Sequence, residues 1–279
     1  MCMGFGCNAA GVVGCRIIDS KRERLIAMLT NALVPCNGRF PTLIALISMF
    51  FVGAQMGSWG AALILSAFIL CSVLATLVLS KLLSQSILKG DASAFALELP
   101  PYRKPEFGKV IVRSVFDRTL FVLGRAVAVA APAGLILWIL ANVHVQGEGL
   151  LQLISCTVDP IGRIFGLDGV ILIAFLLALP ANEIVIPVML MAYTATGSLN
   201  DYGSLDQLKM ILIQNGWTHI TALCTVVFML FHFPCSTTLL TIKKESGGAR
   251  WALWAALLPT VLGLLLCFVI ATVARLFLY

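Results

Sequence analysis

Charge is what this sequence has least of. Asp, Glu, Lys and Arg make up only 11% of its 279 residues, against roughly 25% in an average soluble domain. Apolar residues fill the gap at 60%, and mean hydropathy is +1.00. A chain of this size cannot hide that much apolar surface in one water-soluble core. Soluble enzyme, nucleic-acid binder and disordered protein are therefore excluded as leading readings. Other absences narrow the class further. There is no Walker A lysine motif and no HExxH, and Gly4-Phe5-Gly6 lacks the strand–helix context of a nucleotide fingerprint, so nothing here hydrolyses GTP or ATP. The nine cysteines contain no CxxC pair. Met1 to Ile18 has no charged leading region, and Cys2 stands where a myristoylation signal needs glycine.

What is present reads as an all-α, polytopic membrane protein. Roughly six to eight membrane segments of about 20 apolar residues fit the length, some of them broken or re-entrant. The net charge of +6 is not spread as a nucleic-acid surface would be. Of 19 Lys and Arg, 16 fall in residues 16–39, 81–125 and 243–250. Those stretches flank apolar runs, the positive-inside pattern of cytoplasmic loops and helix ends.

Along the chain, residues 4–18 are apolar, Gly-rich and too short for a full span. Residues 19–39 predict an amphipathic helix, capped by Asp19 or Ser20, with an apolar stripe of Leu25, Met28, Leu29 and Ala32 and an end at Pro35 and Gly38. Residues 40–57 and 61–88 predict a hairpin with Trp59 at a membrane interface. The Pro-rich stretch 89–108 predicts an extended connection, and Lys109, Arg113 and Asp117 an interfacial helix before the span 126–143. Residues 169–195 and 217–242 are apolar runs interrupted by proline, and 251–278 make a last span. If both interrupted runs crossed fully, the basic turn 243–250 would lie outside, so at least one is expected to be broken. This divides the chain into residues 1–88, 89–125 and 126–279.

Glu183 is the sharpest candidate for chemistry. It is the one acid among residues 169–193, and a carboxylate at mid-membrane costs at least about 2.5–3.5 kcal/mol unless it faces a cavity, a partner or a cation. The bland alternative is a protonated glutamate bonded to a neighbouring helix. Asn182 and Pro180 beside it suit an unwound segment with free carbonyls. Cys7-Asn8, Cys36-Asn37-Gly38 and His232-Phe233-Pro234-Cys235 mark further breaks. Sulfur, imidazole and amide ligands suit a borderline-soft divalent ion such as Fe²⁺ better than Na⁺ or Mg²⁺. Taken singly, each of these cysteines reads as a packed small residue, as Cys71, Cys224 and Cys267 do; it is three at breaks beside a membrane glutamate that point to chemistry. Asp159 and Arg163 read as a local ion pair. Paired interruptions in two halves (GFGCNAAGVVG and LALPANEIVIP) point to a transporter site at a repeat interface. The residues alone give a transporter of a small cation or polar solute.

The same residues resemble the ferrous iron transport protein B family, in its C-terminal membrane portion. GFGCNAAG looks like that family's first Gate motif, with Ala9-Ala10 where Val-Pro is common. CRIIDSKRERLI, NALVPCNGRFP, ELPPYRKP, LPANEIVIP and FPCSTTLLTIKKESGGARWAL follow in the family's order. The resemblance implies two Gate-like repeats and Fe²⁺ uptake across the bacterial cytoplasmic (inner) membrane. It places Cys7, Cys36 and Cys235 on the metal path, with Asn8 and Glu183 in the Gate segments. It implies no enzyme and no permanently bound cofactor, with Fe²⁺ as substrate. The partners it implies are the lipid bilayer, a GTP-binding domain on a preceding region or separate chain, and a homo-oligomer. The family's GTP-binding domain is not in this sequence, which reads as a fragment or the piece of a split protein. A Gate-type nucleoside or solute carrier and a non-transporting membrane partner subunit are the alternatives.

Overall fold

The computed structural model describes residues 2–52, 57–86, 106–113, 120–145, 148–194 and 204–278. ELPPYRKP and most of the stretch expected to be extended lie outside them. The architecture is all-α apart from a two-residue antiparallel ladder, His144–Val145 with Glu148–Gly149. The helices are α1 (Cys2–Gly6), α2 (Asn8–Gly14), α3 (Lys21–Thr30), α4 (Phe40–Phe50), α5 (Gly57–Gln85), α6 (Phe107–Arg113) and α7 (Phe121–Asn142). They continue with α8 (Leu150–Ile164), α9 (Gly169–Leu177), α10 (Val185–Thr194), α11 (Leu205–Gln214), α12 (His219–Phe231), α13 (Ser236–Ser246) and α14 (Ala249–Leu278).

Among the described residues, four stretches are long and apolar enough to cross a membrane: Lys21–Phe50, Trp59–Gln85, His219–Ser246 and Ala249–Phe277. The pair α8 and α9, bent by 109°, makes a fifth if it is one span, and Ala126–Asn142 and Asn182–Thr194 are shorter apolar helices. Burial sorts the four. The two interrupted spans are 61% and 67% buried over their most apolar windows, whereas α5 and α14 are 11% and 22% buried. The broken helices therefore form the centre, and the continuous ones present their apolar faces outward, as a lipid-facing helix must.

The interruption of Lys21–Phe50 falls where the sequence places it, but inside one apolar stretch. Ser20 does cap α3, accepting from the Glu23 amide, and Met28, Leu29 and Ala32 are buried. The helical stretch ends at Leu33, just before Pro35, as expected. Pro35 separates two halves of one buried span, and a 3₁₀ turn, Asn37–Arg39, leads directly into α4. The apolar stripe of α3 packs against α5 and α14. Arg22 donates to the Ser84 carbonyl and hydroxyl at the far end of α5 (3.0 and 2.6 Å).

The bend between α8 and α9 is fixed by small residues. A Cβ on Gly169 would fall 1.9 Å from the Ser155 carbonyl oxygen, and one on Gly162 would fall 2.8 Å from the Asp168 carbonyl carbon. Asp168 caps α9 by accepting from the Ile171 amide (2.6 Å), and Asp159 accepts from the Gly169 amide (3.1 Å). Asp159 also pairs with Arg163 at 2.6 Å, the local ion pair expected from their spacing.

Gly169→Ala is expected to lower stability by at least about 1–3 kcal/mol, because backbone must move to admit the methyl group. Gly134→Ala on α7, where a Cβ meets nothing within 4 Å, is expected to be neutral or stabilising by up to about 1 kcal/mol. Thermal unfolding of the two variants in detergent, side by side, checks the contrast.

Candidate functional site

The interruptions in the helices gather at one crossing, where each supplies the backbone partners another lacks. A helix break leaves carbonyls and amides that lipid cannot satisfy. The last carbonyls of α12 are met from elsewhere in the chain. Arg39 Nη1 donates to Leu230 O (2.9 Å) and Ala32 O (3.2 Å), and Nη2 to His232 O (3.1 Å) and Phe233 O (3.3 Å). The Leu33 carbonyl accepts from Ser72 of α5 at 2.5 Å. The Ser236 amide, at the start of α13, donates to Leu179 O in the break before α10 (2.8 Å).

The 3₁₀ turn Asn182–Ile184 faces the turn Asn37–Arg39 across this crossing. His232, fully buried, places Nδ1 2.9 Å from Met229 O and Nε2 3.3 Å from Asn182 Oδ1. The Asn182 amide nitrogen lies 4.0 Å from Cys36 Sγ. A neutral imidazole has only one N–H. Turning the Asn182 amide end for end makes both contacts donor–acceptor pairs, Nδ2–H to Nε2 and the thiol to Oδ1. Glu183 itself is exposed, and its side chain folds over Gly38. A Cβ there would sit 3.2 Å from both Cγ and Oε1.

Cys7, Cys36 and Cys235 share one structural position. Each is the N-cap of the helical segment that follows its break, and none makes a side-chain capping hydrogen bond. Cys235 Sγ lies 3.2 Å from Thr238 Oγ1. Asn8 is tied to the same region. Its carbonyl accepts from Asn31 Nδ2 (2.9 Å), and its amide, turned to suit its neighbours, donates to Gly4 O (3.1 Å) and Val34 O (3.2 Å). Asn31 fits only because Gly4 and Gly11 face it, since a Cβ on either would come within 2.7 Å of Oδ1.

Cys36, Cys235 and Glu183 thus border one crossing, with Asn8 joined to it through Val34. Cys7, with an exposed side chain, lies at the adjoining break between α1 and α2. The five do not converge on a point. Among the described residues, no group of three or more His, Cys, Asp or Glu stands close enough together to hold a metal ion. Arg39 is the residue the sequence reading misplaced. Counted there among cytoplasmic loop charges, it is 0% exposed, and Cys36 and Cys235 are both within its electrostatic reach. Its signal was a lone arginine immediately after Asn37-Gly38 with apolar residues on both sides.

A second polar region lies at the α8–α9 bend. Tyr193 donates a short hydrogen bond to Asp168, and Trp217 Nε1 donates to the Tyr193 oxygen at 2.8 Å. With Ser155, Cys156, Asp159 and Arg275, Asp168 and Tyr193 line a cavity of about 540 Å³. No periodicity marks this set, because its members come from three separate helices and their connections.

Fold and crossing together define a membrane protein built around broken helices. Comparison with known proteins makes this particular. Residues 62–118 match the family model described as ferrous iron transport protein B C terminus, and residues 123–249 match Gate, described as nucleoside recognition. The chain is 28% identical over 287 residues to the Fe(2+) transporter FeoB of Staphylococcus aureus (strain MSSA476), covering 99% of this chain and 40% of that protein. The Fe(2+) transporter FeoB of Methanocaldococcus jannaschii is 27% identical over 290 residues, covering 99% and 41%. An Fe(2+) transport protein A/Fe(2+) transporter FeoB fusion protein of Porphyromonas gingivalis is 24% identical over 321 residues, covering 99% and 37%. No solved structure matches. The chain is similar to these Fe(2+) transporters along nearly its whole length and spans about two-fifths of the length of these relatives.

Asn182→Ala is expected to cost about 1–3 kcal/mol, because it strands a buried imidazole nitrogen, while Asn182→Gln loses less. Unfolding midpoints of the two variants in detergent check this.

Proposed function

We propose that this chain forms the membrane path of a ferrous iron transporter in the bacterial cytoplasmic membrane. The observation that carries the reading is the crossing itself. Two sulfur-bearing N-caps, Cys36 and Cys235, flank it, with the exposed carboxylate of Glu183 at its edge. That donor set mixes soft sulfur with hard oxygen, the combination that suits Fe²⁺ over Na⁺ or Mg²⁺. The likeness to proteins named Fe(2+) transporters along 99% of the chain supports the same substrate. Cys7 and Asn8, at the adjoining break, extend the path by one further helix interruption. The two interrupted segments, around Cys7 and around Asn182–Glu183, act as paired repeats lining it.

In this reading the chain is a permease rather than an enzyme, and Fe²⁺ is its cargo, with no resident cofactor. Nucleotide chemistry belongs to a GTP-binding domain on another region or another chain. The outward apolar faces of α5 and α14 meet lipid or a second copy. A nucleoside or solute carrier is the second reading, favoured by the description of the Gate family. It differs in predicting indifference to the cysteines.

Anaerobic Fe²⁺ titration of the purified protein in detergent tests the proposal. Saturable binding is expected, lost in a Cys7/Cys36/Cys235→Ser variant and weakened at least about tenfold by Glu183→Gln, with folding unchanged. Absence of Fe²⁺ binding by the folded protein, or binding of a nucleoside instead, overturns it.

A further inference from the structure

We propose that Arg39 is the resident plug of this path, a tethered cation seated in the carbonyl cage that the cargo cation needs. The inference rests on the ferrous reading for what passes, but the plug itself is argued from the side chain's own surroundings. Arg39 is fully buried at the crossing of the broken helices. All four of its acceptors are backbone carbonyls, Ala32, Leu230, His232 and Phe233, drawn from the two central spans. Among the described residues it has no carboxylate within ion-pair distance, so an uncompensated positive charge stands within electrostatic reach of Cys36 and Cys235.

Two features separate a plug from a plain staple. First, the grip is incomplete. The Nε–H is buried without a hydrogen-bond partner, and an unmet donor on a buried cation costs more than a neutral one would. A staple could satisfy these carbonyls with neutral donors and avoid that cost. Second, a receiving group lies next door. The Glu183 carboxylate folds over Gly38, the residue before Arg39, and makes no ion pair among the described residues.

The device follows from electrostatics. While the guanidinium fills the cage, a divalent cation meets a like charge in a low-dielectric interior. When the guanidinium moves to Glu183, four carbonyl oxygens are freed beside two thiols, and the positive charge is neutralised by the carboxylate. Opening therefore exchanges one cation for another at the same oxygens, and the backbone of the breaks is never left unsatisfied.

The test needs no iron. The protein in liposomes is treated with membrane-impermeant methanethiosulfonate reagents, one cationic and one anionic, and each cysteine is followed by peptide-resolved mass spectrometry. In Arg39→Met, modification of Cys36 and Cys235 is expected to accelerate at least about tenfold. Cys224 and Cys267, buried between α12 and α14, stay at the wild-type rate. Arg39→Lys, which cannot bridge four carbonyls, gives a smaller rise at the same two cysteines. Adding Arg39→Met to Glu183→Gln restores the fast rate, because the receiver is dispensable once the plug is gone. Unchanged rates in both Arg39 variants overturn the plug. So does acceleration of all four cysteines together in both, which marks Arg39 as a structural staple. Selective opening in a protein that binds no Fe²⁺ overturns the ferrous reading and leaves the plug standing. Fe²⁺ binding with no selective opening does the reverse.

Discussion

A helix that breaks inside an apolar layer exposes backbone groups worth several kcal/mol each if left unpaired, and this chain breaks its helices four times near one place. The Arg39 guanidinium is what makes that arrangement tenable. It closes the end of α12, reaches back to Ala32 at the end of the α3 half-span, and so links the backbones of the two central spans. The negative end of the α12 dipole offsets part of the buried charge. Ser72, His232 and the Ser236 amide answer the remaining exposed groups. The crossing is held by mutual satisfaction of broken ends, with apolar packing surrounding it rather than filling it.

Small residues decide where these ends can meet. Gly4 and Gly11 admit Asn31, and Gly38 admits the Glu183 side chain. Gly263 of α14 lies against Phe231 at the last turn of α12. Each removes a Cβ where another segment must approach, the role that small residues play between membrane helices. Gly169 and Gly162 do the same at the α8–α9 bend. There Asp168 turns from capping α9 to accepting from Tyr193, so one carboxylate fixes both the bend and the position of α10.

Much of this was legible in the residues. Proline, glycine and asparagine marked every break, because each removes a donor, a Cβ or a helical preference. Asp159 and Arg163 were read as a pair from their spacing alone. What could not be read was convergence. Cys36 and Asn182 are 146 positions apart, and nothing in periodicity joins them. Arg39 was misread for a physical reason: in apolar chains arginine usually marks a loop in water, and only the pairing of broken ends makes its burial affordable. Tyr193 and Trp217 escaped notice because an aromatic in an apolar run carries no signal until its polar tip finds a partner.

One contact at the edge of the molecule bears on how the breaks move. Arg16, just after α2, grips Glu245 near the end of α13 with both Nε and Nη2 (2.7 and 2.6 Å), and α2 lies along α13. The segments that follow Cys7 and Cys235 are therefore clamped into one leaf. Two breaks far apart in the chain thus share one packed edge, with an ion pair at its rim.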